Sequence, residues 1–574
     1  MGNMNYNNKG KDAHTYDAIV IGSGISGGFA AMELCKKGLK TLMLERGRMV
    51  THGDYPTASM DPWEFPNQNK VTAEEIAQHF FKQNRLPWWV NQDNKHWIAK
   101  DDEYPYDEVN RFDWIRGHHV GGRSIMWGRH CYRWSDIDFE ANDREGIAID
   151  WPIRYKDIAP WYDYVETMIG VAGQAEGLKQ VPDGKFLKPF PLNCAEQHLR
   201  ESVAKKYPTR IVTPGRVANL TEYNEDIHLG KRGQCQARQM CWRGCPFGAY
   251  FSSVSVTIPI AAATGNLTLQ ADSIVTEIVY DKATNKASGV RVKDSNTGAV
   301  TEYFSRIVFC NASTVGTAAI LLNSRSEAFP DGLGNASGEL GHNMMDHHYG
   351  MGASATMVGM EDTYYQGRNP AGGFYIPRFR NIDKASKRKD YLRGFGYQGE
   401  AKRRLDVPAG TYGEDLKKTI FMPGPYKAAM TCFGEILPHH DNKMYLNFDK
   451  KDKHGMPIIT FDAKLRENEI TMRLDGVNCA AEIFEAAGCK DIQTHNVETA
   501  PGAAIHEMGT ARMGRDRKTS VLNKWNQIHD VPNVFVTDGA CMTSAGTQNP
   551  SITYMALTAR AVDYAHKQLD QGKL

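Results

Sequence analysis

The chain has 574 residues, 41% apolar and 24% charged, enough for more than one core and too apolar for general disorder. Lys plus Arg number 68 against 67 for Asp plus Glu, so no overall field draws it toward nucleic acid or an anionic membrane. Eleven cysteines are too sparse for a disulfide scaffold, and no apolar run reaches the roughly 18–20 residues of a membrane-spanning helix.

In chain order, "MGNMNYNNKGKDAHT" is polar and reads as a loose terminus. The stretch after it mimics an export signal only superficially, because Asp17 opens it, glycines break it and Glu33 interrupts it. "DAIVIGSGISGGFAAMELCKKGLKTLMLERG" reads better as strand, glycine turn, helix and second strand. Gly22, Gly24 and Gly27 form G-x-G-x-x-G. The first permits the turn, the second lets a pyrophosphate approach the backbone, and the third lets helix and strand pack closely. The helix N-terminus offers free N–H groups to the phosphates. Ala30, Ala31, Leu34 and Cys35 share one helical face, and Gly38 ends the helix. Glu45, at the end of the second strand, accepts hydrogen bonds from both hydroxyls of a ribose and repels a 2′-phosphate. This predicts a dinucleotide site without separating NAD from FAD.

Residues 60–110, rich in Trp, Asp and Asn, read as an excursion covering a cofactor, with the aromatic residues of 80–115 in the core. In "GHHVGGRSIMWGRHCYRW", Gly121 and Gly122 let backbone pass a large planar ligand, and Ser124 is placed to bond it. "QCQARQMCWRGCPFGAY" then sets Cys235, Cys241 and Cys245 in a loop as C-x5-C-x3-C-P. Thiolates bind iron or zinc, but structural zinc wants four ligands, so three cysteines ending in C-P point to an iron–sulfur loop. Zinc and unligated thiols are the alternatives. Lys231, Arg232, Arg238 and Arg243 are expected around the thiols, balancing an anionic cluster, unless they are an ordinary solvated basic loop.

Alternating runs within 346–495, such as "KMYLNFD", predict an antiparallel sheet, and "ENEITMRLDGVNCAAEIFEAAG" predicts a helix ending at glycine. Near the C-terminus, Val534–Val536 reads as a strand running into Asp538-Gly539. A loop then reaches Asn549-Pro550, followed by helical spacing over Ile552–Tyr564. This is a second place where helix N–H groups meet a cofactor.

The order of these segments, with "DWPIRYKDIAPWYDYVE", "GNLTLQADSIVTEI", "IVFCNASTVGTAAILLNS", "LGHNMMDHH", "DKKDKHGMPI" and "IHEMGTARMG", resembles the glucose–methanol–choline (GMC) family of FAD-dependent oxidoreductases along nearly the whole chain. The resemblance implies an α/β fold: a Rossmann-like FAD-binding domain assembled from 15–150, 206–345 and 496–574, with an iron–sulfur loop at 231–250. A substrate domain with a mainly antiparallel sheet, from 151–205 and 346–495, then covers the flavin, and 1–14 stay loose. It implies His506 as catalytic base and Asn549 as its partner. FAD is implied to meet Gly22, Gly24, Gly27, Glu45, Gly122, Ser124, Val275, Asp538, Gly539 and Asn549, with the backbone of Val275 facing the adenine. That assignment suits the chemistry, since a neutral imidazole accepts the hydroxyl proton of an alcohol and an amide orients the hydroxyl without competing for it. His118, His119, His347 and His348, in glycine-rich loops, stay unassigned. Met126 stands where similar pyranose oxidases bond a histidine to the flavin, so non-covalent FAD is expected.

Within the family, the cysteine segment is similar to that of bacterial gluconate, fructose and glucoside 3-dehydrogenases, which implies a 3Fe–4S cluster on Cys235, Cys241 and Cys245. The expected function is oxidation of a ring hydroxyl, best at C3 of a glucoside or hexopyranose, with electrons passed to an external acceptor such as a cytochrome. Gluconate, fructose or polyol oxidation comes next, then an oxygen-using pyranose oxidase, then a non-catalytic electron-transfer flavoprotein. The same resemblance implies a small maturation and export subunit, a haem-protein acceptor and a periplasmic location through a signal-bearing partner, with the cytoplasm as alternative.

Overall fold

The computed structural model describes residues 14–574 apart from 87, 361–371, 406, 423 and 498. Its first sheet is built on the apolar strand Thr15–Ile21, whose last four residues are buried on both faces, as a central parallel strand requires. Thr41–Leu44 pairs parallel on one side of it and Val300–Cys310 on the other. Leu267–Gln270 extends the parallel half beyond Thr41–Leu44. Lys286–Asp294 and Ser273–Asp281 extend the other side antiparallel. Val534–Phe535, far along the chain, pairs parallel with the C-terminal half of Val300–Cys310. Helices Ile25–Lys36 and Ser551–Asp570 pack on each other against this sheet, and their apolar faces belong to its core.

Parallel pairing has a positional consequence. Strands Thr15–Ile21, Thr41–Leu44, Val300–Cys310 and Val534–Phe535 end at one edge, so Gly22, Glu45, Asn311 and Asp538 leave the sheet together there. Ligands of open α/β sheets bind at such carboxyl ends.

The second sheet is antiparallel throughout, in the order Lys490–Asn496, His347–Thr356, Tyr426–Glu435, Phe395–Arg403, Phe374–Ile376 and Thr213–Pro214. Helix Glu467–Ala486 packs on one face, where the Tyr397 hydroxyl donates to the Gly476 carbonyl at 2.6 Å. Its neighbour in the strand, Gln398, points the other way, as the two-residue period of a strand demands. The predicted strand "KMYLNFD" forms (Lys443–Lys451) but lies in a separate three-stranded sheet with Pro457–Asp462 and Asp107–Glu108. The C-terminal helix is longer than its expected span, running Ser551–Asp570.

Candidate active site

Two adjoining cavities open at the carboxyl edge of the first sheet. The smaller, about 190 Å³, is lined by Gly22, Gly24, Glu45, Gly122, His118 and Val275. The larger, about 580 Å³, is lined by Gly24, Ser124, Met126, His506, Asp538, Gly539 and Asn549. Gly24 and Asn311 border both.

The glycine turn behaves as its spacing predicts. Gly22 has φ +94° and a side chain there would strike the Asn311 carbonyl at 2.3 Å. Gly27 lines neither cavity; a Cβ on it would lie 1.9 Å from the Gly22 carbonyl, so it serves the close approach of helix and strand. A Cβ on Gly24 would meet nothing within 4 Å, because that residue faces the open cavities. Helix Ile25–Lys36 has no side-chain cap and no acidic residue in its first turn, which leaves its N-terminal amides for an anion.

The polar groups fit a dinucleotide. Glu45 is buried, and burial raises its pKa while hydrogen bonds from Ser23 and Gly47 oppose that shift. Its Oε2 accepts from Ser23 N at 3.2 Å and Ser23 Oγ at 2.6 Å, and its Oε1 from Gly47 N at 3.0 Å. That leaves Oε1 with the freer lone pair for a ribose hydroxyl. Asn311 accepts through Oδ1 from Thr537 N and Oγ1, both at 3.0 Å, while its buried Nδ2 has no partner and borders both cavities. The buried Tyr554 hydroxyl is likewise without a partner at the larger cavity. Buried polar groups are ordinarily bonded, so two orphans at this junction match the phosphates and polar edge of a flavin nucleotide. Asp538 is held by Thr317 Oγ1 at 2.6 Å and Ala540 N at 3.0 Å, and burial pushes its pKa up to about 6. Ser124 lines the cavity but spends its Oγ proton on the Gly121 carbonyl at 2.6 Å.

His506 and Asn549 meet at 3.3 Å between Nε2 and Nδ2. Gln398 donates from Nε2 to Asn549 Oδ1 at 2.6 Å, and Nδ1 of His347 lies 2.9 Å from Nδ1 of His506. The backbone before His506 is forced. Ile505 has φ +63°, a left-handed conformation that a β-branched residue resists. The buried Asp346 carboxylate holds it there, Oδ2 accepting from Gly502 N at 2.8 Å and Ala504 N at 3.2 Å, and Oδ1 from His506 N at 2.9 Å. Burial, then the nearby Glu507, pushes Asp346 up to about 7. Glu507 itself is clamped by Arg123 through two bonds of 3.0 and 2.7 Å. Burial and the positive neighbour Arg123, together with His347, put the His506 pKa well below its ordinary value, so the ring is neutral.

Six aromatic rings wall the rest of the larger cavity: Trp88, Trp89, Trp127, Trp242, Tyr349 and Phe433. Trp88 and Trp89, expected in the core, line this cavity instead, and Trp88 is half-exposed. Asn91, Asp93, Gln398 and Arg129 supply polar groups between the rings. His347, Asp346, Gln398, Asn311 and the two tryptophans were not assigned roles from sequence. The "MDHH" and "FCNAS" strings were visible, but nothing local says which distant residue each meets.

Cys235, Cys241 and Cys245 line one small cavity of about 30 Å³. Among the described residues no three His, Cys, Asp or Glu side chains are grouped to hold a single metal ion. A zinc ion draws its thiolates to about 2.3 Å, so the geometry gives zinc no support; a cluster takes one thiolate per iron and spaces them wider. The expected cations lie around the thiols: Arg238 lines their cavity, and the buried Arg232 feels the charge of Cys245, while their side-chain hydrogen bonds go to main chain and to Asp93. Arg243 pairs with Asp93 at 3.2 Å, Arg238 donates to the Ala58 carbonyl, and Arg232 donates to the Gly248 carbonyl at 2.7 Å. A further cation, Arg129, is fully buried with its Nε and Nη2 unpartnered, 5.5 Å from the Trp242 ring and 5.3 Å from the Tyr250 ring. Trp242 lines the large cavity and Tyr250 the thiol cavity, so these groups form the wall between them.

Profiles of the GMC oxidoreductase family match residues 16–349 and 438–558. The chain is 29% identical to 2-methyl-1,2-propanediol dehydrogenase of Mycolicibacterium austroafricanum, over 96% of this chain and 95% of that one. It is 26% identical to the fructose dehydrogenase large subunit of Gluconobacter japonicus, over 97% and 98% respectively. A formate oxidase structure from Aspergillus oryzae superimposes with a TM-score of 0.62 over 98% of this chain and 100% of that one, at 14% identity.

Proposed function

The chain belongs to the GMC oxidoreductase family, FAD-dependent enzymes that oxidise CH–OH groups, and from that premise we propose that it is a sugar dehydrogenase. One observation carries the reading. The His506–Asn549 pair stands in the wall of a cavity that six aromatic side chains also line, together with amide, carboxylate and guanidinium groups. Pyranose rings present apolar C–H faces and a rim of hydroxyls, and such a wall matches both. A ring hydroxyl, best C3 of a glucoside or hexopyranose, receives a hydrogen bond from Asn549 Nδ2 and gives its proton to His506 Nε2. FAD, when bound, supplies the hydride acceptor for the carbinol carbon. Met126, a buried thioether at the cavity, offers no nucleophilic ring nitrogen, which supports non-covalent flavin.

Cys235, Cys241 and Cys245 would hold a 3Fe–4S cluster, which when bound supplies one-electron transfer to an external acceptor such as a cytochrome. Support comes from the shared thiol cavity and from Trp242, which follows Cys241 and lines the large cavity directly. One relative carries the name of a large subunit, in keeping with a small maturation and export partner, a haem-protein acceptor and a periplasmic location reached through that partner. No helix among the described residues is long and apolar enough to cross a membrane.

The test is anaerobic rapid mixing of iron-counted holoenzyme with methyl glucoside, gluconate, fructose and 2-methyl-1,2-propanediol. Fastest flavin bleaching by the glucoside, with about three irons per chain for a three-iron cluster, supports the whole reading. Faster bleaching by the diol would move the substrate out of the sugars, and bleaching without iron would return the thiols to a structural role.

A further inference from the structure

The hydrogen-bond chain Gln398–Asn549–His506–His347 can be wired in either direction from its middle. In one sense His506 carries its proton on Nδ1 and presents a bare Nε2 to the cavity; in the other it carries the proton on Nε2 and has no base to offer. Gln398 and Asn549 cannot decide, because both amides turn over together and each pairing survives the turn. The decision lies at the far end. His347 Nε2 faces two main-chain carbonyls, Ala545 at 3.3 Å and Gly546 at 3.0 Å, and carbonyl oxygens only accept.

We propose that His347 is a positioning residue that sets the tautomer of His506, its Nε2–H anchored on the Ala545 and Gly546 carbonyls and its Nδ1 lone pair taking the Nδ1–H of His506. His347 is 1% exposed, and burial pushes its pKa down to about 4, so near neutrality it is an uncharged ring with one proton. With that proton on Nε2, Nδ1 is an acceptor. His506 must then donate through Nδ1 across the 2.9 Å contact, and its Nε2 is left unprotonated. Asn549 Nδ2 donates to that lone pair at 3.3 Å, and Gln398 Nε2 completes the chain at Asn549 Oδ1. When substrate enters, its hydroxyl proton passes to Nε2 while the Nδ1–H stays on His506, so the step needs no second proton transfer.

Three elements are thereby tied through one ring, by its two nitrogens: the strand that begins at His347, the loop at 545–546 and the loop that carries His506. The orienter is a neutral imidazole bound to main chain, where a catalytic histidine more often leans on a carboxylate. The carboxylate at hand, Asp346, is spent instead on the backbone amide of His506.

The inference rests on His506 being the base, and its test separates the two ideas. Holoenzyme labelled with 15N-histidine is examined by NMR near neutral pH, the His506 signals being assigned by their loss in His506→Gln. The expected wild-type pattern is a protonated Nδ1 and an unprotonated Nε2. In His347→Leu the two tautomers should mix, and flavin reduction should fall about tenfold with little change in KM, the size of effect expected from losing one hydrogen bond of orientation. His347→Asn places an amide oxygen near the old Nδ1 position; it should restore the single tautomer and most of the rate. A protonated Nε2 in the wild type, or a pure Nδ1–H tautomer persisting in His347→Leu, overturns the proposal, and the wild-type spectrum decides even if both variants misfold. Undiminished flavin reduction in His506→Ala would instead remove the base assignment and leave the tautomer result standing.

Discussion

The surroundings of His506 and the loop of Cys235, Cys241 and Cys245 are neighbours built on opposite principles. At His506 the protein completes its own hydrogen bonds before any substrate arrives: Asp346 grips the backbone, His347 the ring, and Gln398 the partner amide. At the thiol loop Ala237 and Gln239 also take left-handed backbone, but the Cys235 sulfur meets weak donors, Ala237 N at 3.4 Å and Asn219 Nδ2 at 3.9 Å. Its arginines bond Asp93, the Ala58 carbonyl and, within the loop itself, the Gly248 carbonyl. The first region is preorganised, as catalysis requires of groups that must not rearrange during the step. The second sets three thiols around one small cavity without a comparable network of bonds to fix them.

That contrast can be broken by experiment, most strongly at its centre. His506→Ala should slow anaerobic flavin reduction by roughly two to four decades while FAD stays bound, followed by stopped-flow absorbance. Asp346→Asn should come next. Its two oxygens take N–H groups from three residues, so an amide turns an NH2 group toward at least one of them and releases Ile505 from its forced conformation. A displaced base costs about a hundredfold in the same assay; an unchanged rate would show that the loop holds itself.

Acidity gives a smaller effect with a definite sign. The folded His347 titrates at about 4, below the roughly 6.5 of an unfolded histidine. Between those values the unfolded chain binds more protons, so stability rises with pH across the window and is lost as pH falls through it. The thermal midpoint of the wild type should fall further between pH 6.5 and 4.5 than that of His347→Leu, which removes this one titration from the others in the window, and equal falls would contradict a neutral buried ring. Cys241→Ser should change flavin reduction least of all, yet cripple transfer to a cytochrome. Normal transfer in that variant would make the thiols structural and dissolve the distinction between the two regions.

Much of the framework was legible in residues that act on their neighbours. The glycine turn, the strand leading to Glu45, the helix ended near Gly488 and the alternation of the second sheet all follow from local spacing. Gly27 serves helix–strand packing, as its place in the motif implies, but it lines neither cavity, so the FAD contact implied by the resemblance is not one it makes with the cavity wall. What stayed hidden is convergence. His347 and His506 lie 159 residues apart, and nothing in "DHH" announces a ring facing another ring. The thiol loop shows the same limit: Arg238 lines the thiol cavity as its spacing suggests, but its bond to the Ala58 carbonyl and that of Arg243 to Asp93 come from segments that loop spacing cannot register.

The strand Val534–Phe535, inserted beside Val300–Cys310, dictates a timetable. A ribosome has made the glycine turn, Glu45 and most of the first sheet long before it reaches Asp538 or the helix that follows Asn549. Until that late strand docks, the edge from which the flavin is held has a missing bank. Loading of the cofactor therefore belongs after synthesis of the C-terminal segment, and a nascent chain stalled before it carries half a nucleotide site and an exposed strand edge in need of shelter.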